Sequence, residues 1–98
     1  MKFANVIGTV VLTKTHDRLP EGSMRLVQPT DTSGKKKGIA IVAYDLLGSS
    51  PGEKVIIAQG SSCRQGPQLN TSPVDAIIAG IVDTIEQEGK ILYQKKEV

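Results

Sequence analysis

Residues 4–12 alternate between apolar and polar. Ala4, Val6, Gly8, Val10 and Leu12 share one face, while Asn5, Thr9 and Thr13 lie on the other. This period of two, with its β-branched residues, predicts a half-buried strand. Gly8 within it predicts a bend or bulge, as small barrels need at corners. A second strand is expected over residues 23–28, with Met24 and Leu26 on one face. Pro29 is expected to stop its ladder, because proline has no N–H to donate. Residues 39–45 are apolar on both faces and predict a central or covered strand. Residues 53–58 predict a fourth.

Between these runs lie polar connections. Residues 14–22 end in the turn Leu19-Pro20-Glu21-Gly22, residues 30–38 form an exposed loop, and Gly48-Ser49-Ser50-Pro51-Gly52 forms another. Residues 59–73 are irregular, and so long a loop in so small a chain is often functional. Ser72 as N-cap and Pro73 at the first helical position predict a short helical turn over 73–76. In the stretch 76–85, Ile77, Ile81 and Ile85 fit a helix face, but the isoleucine content and Gly80 favour a strand, which is the reading adopted. Glu88-Gly89-Lys90 is a hairpin turn before a last strand over 91–94, and residues 95–98 are a frayed tail. Short, closely spaced strands with little helix predict an all-β fold with minor α content: an OB-like β-barrel of five to six strands.

The chain has 98 residues, which is one domain, 1–98. Its 39% hydrophobic and 22% charged residues indicate a folded rather than a disordered chain. A net charge of +2 is too small to draw nucleic acid or a membrane by bulk electrostatics. A lone cysteine, Cys63, excludes an internal disulfide and a multi-cysteine zinc site, and one histidine, His16, leaves little for acid–base chemistry. Phe3, Tyr44 and Tyr93 are too few to build a base-stacking platform. No apolar run approaches the ~20 residues of a membrane helix. No signal-peptide core follows Met1 to Asn5, so a soluble, cytosolic protein is expected. No catalytic residue, cofactor or metal is expected, and no nucleic-acid or membrane partner.

Four groups of residues carry candidate chemistry. Cys63, Ser61 and Ser62 could meet His16 as a nucleophilic pair, but nothing around Cys63 matches a nucleophile motif, and a small packed thiol is the preferred reading. Asp45, Asp75 and Asp83 could run acid–base chemistry, but they read better as holding loops, interfaces or a first helical turn. Gly60-Ser61-Ser62 with Arg64 could form an anion-binding nest, though it lacks the pattern of a phosphate loop. Lys35-Lys36-Lys37 reads as a solvated run. The apolar faces left over in strand three and in 76–85, at Ile39 or Val42 and at Ile78 or Val82, need a cover. Subunit association is the natural one.

Val6-Ile7-Gly8-Thr9-Val10-Val11, Leu26-Val27-Gln28-Pro29, Gly60-Ser61-Ser62-Cys63-Arg64, Pro73-Val74-Asp75-Ala76 and Gly80-Ile81-Val82-Asp83 occur in this order. The ordered set resembles the vertex proteins of bacterial microcompartments, the EutN/CcmL family, over about residues 1–94. The resemblance implies a non-enzymatic shell protein that assembles as a cyclic homopentamer. Such a pentamer caps five-fold corners between hexameric microcompartment shell proteins, of a carboxysome or a metabolosome, in the cytoplasm. It also implies that Gly60, Ser61, Ser62, Arg64, Asp75 and Asp83 lie at the subunit interface or five-fold axis. Two positions depart from the family pattern. Cys63 stands where alanine is common, and Gly48-Ser49-Ser50 replaces a frequent Gly-Ala-Gly. The alternative is an OB-like module for an oligonucleotide, an oligosaccharide or a small anion. A thiol enzyme using Cys63 is a distant third.

Overall fold

The computed structural model describes residues 1–13, 23–60 and 75–95. Seven strands follow in chain order: β1 (Lys2–Val10), β2 (Ser23–Thr30), β3 (Ile41–Asp45), β4 (Lys54–Gln59), β5 (Ala76–Ile81), β6 (Thr84–Gln87) and β7 (Lys90–Gln94). The first five close into a barrel in the order β1-β2-β3-β5-β4, and β6 and β7 form a separate hairpin. All barrel pairings are antiparallel except β3 with β5, which is parallel and short, joining Tyr44 to Ile77 and Asp45 to Ile78. The expected OB-like all-β barrel is therefore present. Of the helical turn expected at 73–76, residues 73 and 74 lie outside the described residues. Asp75 carries no helix and Ala76 opens β5.

The barrel interior is small and aliphatic. Ala4, Val6, Val27, Ala43, Val55, Ile57, Ala76 and Ile78 fill it, with Ile41 and Ile81 packed at its edge. Small residues at Ala4, Ala43 and Ala76 let five strands close tightly around branched neighbours. Ile78 and Val82 are 1% and 8% exposed, so they are covered within the chain and are not the leftover apolar surface expected of them.

Two irregularities set the strand faces. In β1 the register shifts between Val6 and Gly8, where Val6 opposes Val27 and Gly8 opposes Leu26. Ile7 is the extra residue of a bulge. The expected bend is present, and it inverts the alternation: Ala4 and Val6 face inward, whereas Gly8 joins Leu26 on the outside. The core face of β2 is accordingly Val27 and Pro29, not Met24 and Leu26. Pro29 does not stop the ladder. It opposes Ala4 within β2, and its carbonyl accepts the Lys37 N–H at 2.9 Å. Its missing N–H therefore points away from β1, on a side β3 does not reach, where proline costs no ladder bond.

The expected strand over 76–85 is two strands, broken at Val82 and Asp83. The Val82 N–H donates to the Lys54 carbonyl at 2.8 Å, which ends the barrel ladder and releases the chain into β6. The hairpin turns at Glu88 and Gly89, both with positive φ (52° and 80°), the geometry whose twist suits a two-residue turn.

Candidate functional site

The long irregular segment is closed at its base. Gly60 follows β4 with φ 66°, a left-handed conformation that glycine adopts without strain, and its N–H donates to the Asp75 carbonyl at 3.0 Å. The end of β4 and the start of β5 thus form one mouth that carries Gly60 and the exposed Asp75 together. Ser61, Ser62, Cys63, Arg64 and His16 lie outside the described residues. Asp83 is not at this mouth. It sits past the far end of β5, whose six residues span about 20 Å at ~3.3 Å per residue. Its carbonyl there accepts the Lys95 N–H at 2.7 Å.

Sequence reasoning placed Asp45 as a loop holder but passed over its partner Arg25. Asp45 ends β3 with its side chain fully buried. Its Oδ1 accepts the N–H groups of Leu47 (3.0 Å) and Gly48 (3.1 Å), and its Oδ2 accepts the N–H (2.7 Å) and hydroxyl (2.8 Å) of Ser49. Arg25 Nε lies 3.4 Å from Oδ2 and donates to the Ser49 carbonyl at 2.9 Å. A buried carboxylate is sustained here by a cation and four donors. The result is a fixed loop that presents Leu46 and Leu47 to solvent. The alternating position of Arg25 on β2, inward beside Val27, was the available signal.

The outer face carries the uncovered apolar surface. Ile39 is 82% and Val42 47% exposed, as the excess apolar residues of this region led one to expect. Met24, Tyr44, Ala58 and Ile77, one each from β2, β3, β4 and β5, form a second apolar cluster in which Tyr44 and Ala58 are buried, so this cluster is not part of the uncovered surface.

Charge ties the hairpin to the barrel. Lys95 Nζ lies 2.8 Å from Glu53 Oε2, and Glu53 Oε1 accepts the Ser50 N–H. The Lys95 hydrogen bond, then the Ser50 N–H, hold the Glu53 carboxyl below its ordinary value. The same Glu53 contact raises Lys95. In the loop after β2, Asp31 Oδ1 accepts from the Ser33 hydroxyl (2.7 Å), the Ser33 N–H (2.9 Å) and the Lys35 N–H (2.9 Å). These bonds, the Ser33 hydroxyl first, lower its pKa. Lys36 pairs with Thr30 in an isolated bridge, so the lysine run belongs to an ordered turn. Among the described residues no three His, Cys, Asp or Glu side chains gather for a metal.

The described part is thus a closed barrel with a carboxylate-fixed loop and a mouth joined at Gly60 and Asp75. The family described as "Ethanolamine utilisation protein EutN/carboxysome" matches residues 1–83. The chain is 38% identical to the bacterial microcompartment shell vertex protein EutN of Escherichia coli (strain K12), over 97% of this chain and 100% of that one. A solved carboxysome subunit, CcmL, superposes with a TM-score of 0.90 at 36% identity, covering 98% of this chain and 100% of that one. The GrpN pentameric microcompartment shell protein from Rhodospirillum rubrum superposes with a TM-score of 0.78 at 37% identity, covering 89% and 99%. The chain belongs to the EutN/CcmL family. It is a structural shell vertex protein of a bacterial microcompartment and not an enzyme.

Proposed function

We propose that five copies of this chain, each a single barrel domain over residues 1–98, close into a ring that fills a five-fold corner of the shell. Flat sheets of hexameric shell proteins meet at that corner. A hexagonal sheet cannot close into a polyhedron without five-fold units, and a heterologous contact that closes after five subunits supplies one. The pentameric description of the Rhodospirillum rubrum relative supports the number five. The observation that carries the reading in this chain is the uncovered apolar outer face at Ile39 and Val42. A monomer gains nothing from leaving it in water, and a neighbouring subunit would cover it.

Gly60, Ser61, Ser62, Arg64 and Asp75 are assigned to the subunit contact near the axis, and Asp83 to a contact at the other end of β5. The joined mouth of Gly60 and Asp75 supports placing the first group together. Arg64 supplies a charge-assisted contact across or beside the interface, so Arg64→Ala is expected to loosen the ring in sedimentation at low concentration. The shell role is tested by co-expression with hexameric shell proteins. Closed particles are expected only when this chain is present. Closed particles of the same size without it would contradict the role.

A further inference from the structure

The loop that Asp45 holds forms an apolar knob. Leu46 and Leu47 are 37% and 52% exposed on it, just past the end of β3, whose outer face carries Val42. The N–H groups of Leu47, Gly48 and Ser49 all turn inward to the Asp45 carboxylate. Each of these peptides is trans, so the carbonyl across from each N–H turns outward. The knob therefore offers the carbonyls of Leu46, Leu47 and Gly48 as acceptors beside two leucine side chains. Its shape is set by a buried carboxylate paired with Arg25.

A groove of about 510 Å³ lies at the other end of β2. Ala4 faces the core opposite Pro29 and Val55, so the adjacent row of Thr30, Phe3 and Ile56 faces outward across β2, β1 and β4. Phe3 and Ile56 give the groove an apolar floor. Lys2 and Lys37 stand exposed at its rim as donors, beside Asp31. Thr30 forms part of the wall. Among the described residues its hydroxyl is the buried side-chain polar atom without a partner, a cost the single chain carries at this wall.

Asp45 opposes Ser23 at the start of β2, and Thr30 ends it. The eight residues of β2 put these ends about 23 Å apart at ~3.3 Å per residue, so a chain cannot seat its knob in its own groove. We infer that Leu46 and Leu47 of one copy enter the groove over Phe3 and Ile56 of the next copy. This contact rests on the ring proposed above and names its two halves. An apolar tip with outward carbonyls meets an apolar floor with ammonium donors at its rim. The two patches are different surfaces of one chain, so the contact runs head to tail and repeats from copy to copy. It also continues the β3 face at Val42, where exposed apolar surface already needs a cover.

Leu47 and Lys37 are both exposed, so cysteines at these positions should leave the fold intact. In the full chain carrying Cys63→Ser, Leu47→Cys combined with Lys37→Cys is treated with a short bismaleimide. A ladder reaching five linked chains is expected on a denaturing gel, and none with either cysteine alone. Leu47→Asp should raise the concentration at which the assembly dissociates at least tenfold, with unchanged circular dichroism. A five-chain mass by light scattering without the ladder overturns the inference and leaves the ring standing. So does Leu47→Asp that assembles like the parent. A ladder that stops at two chains overturns it as well, as does linkage to a co-expressed hexameric shell protein in place of a second copy. A one-chain mass removes the ring and this contact together.

Discussion

Asp45 and Ser49 are joined twice: the buried Asp45 Oδ2 accepts both the N–H and the hydroxyl of Ser49, at 2.7 and 2.8 Å. The hydroxyl bond depends on the serine at this position, since alanine there would leave only the N–H bond. Arg25 closes the arrangement from β2 by donating to the Ser49 carbonyl.

Removing the carboxylate should therefore be far worse than removing the hydroxyl. Asp45→Ala strands the Arg25 cation and three loop N–H groups, and a loss of about 3–5 kcal/mol is expected. Ser49→Ala removes one hydrogen bond to a charged acceptor and should cost about 1.5–3 kcal/mol. Urea unfolding midpoints of the two variants against the parent check the ranking. Equal midpoints would mean that the loop does not depend on Asp45.

The tie between hairpin and barrel should have a pH window. Glu53 is depressed from 4.5 in the folded state, so its contribution is present above that value and is lost as pH falls through the folded pKa. Lys95 is raised from 10.5, so its contribution is complete below that value and is lost as pH rises through the folded pKa. Hydrogen exchange of β6 and β7 is expected to quicken at both extremes relative to the barrel strands. In Lys95→Met the Glu53-dependent acid step should disappear.

The outer face of β3 should matter to assembly and not to folding. Val42 is 47% exposed in the single chain, so Val42→Lys should change subunit stability by no more than about 0.5 kcal/mol. It is expected to lower the assembled fraction in sedimentation while leaving the circular dichroism unchanged. Unaltered assembly would place the subunit contact elsewhere.

Most of the barrel was legible in the sequence because period-two alternation and glycine or proline punctuation report local geometry directly. The Gly8 bulge and the turn at Glu88 and Gly89 are of this kind. The strand faces were less legible. A bulge of one residue inverts every side chain after it, so Val10 leaves the face of Ala4 although the written pattern does not change. Pro29 was misread because its cost depends on which neighbour its nitrogen faces, and only the barrel order decides that. Ile78 and Val82 looked like surplus surface because their cover comes from closure of the barrel and from the chain turning at Asp83. At the candidate contact site, the joining of Gly60 to Asp75 rests on a backbone bond across fifteen positions, which no local pattern announces.

The central claim is that the chain works as one fifth of a closed ring. Static light scattering on the purified protein, coupled to size exclusion at low micromolar concentration, tests it most directly. A mass of five times 10.4 kDa is expected. A mass of 10.4 kDa, or any value that does not correspond to five chains, would contradict it.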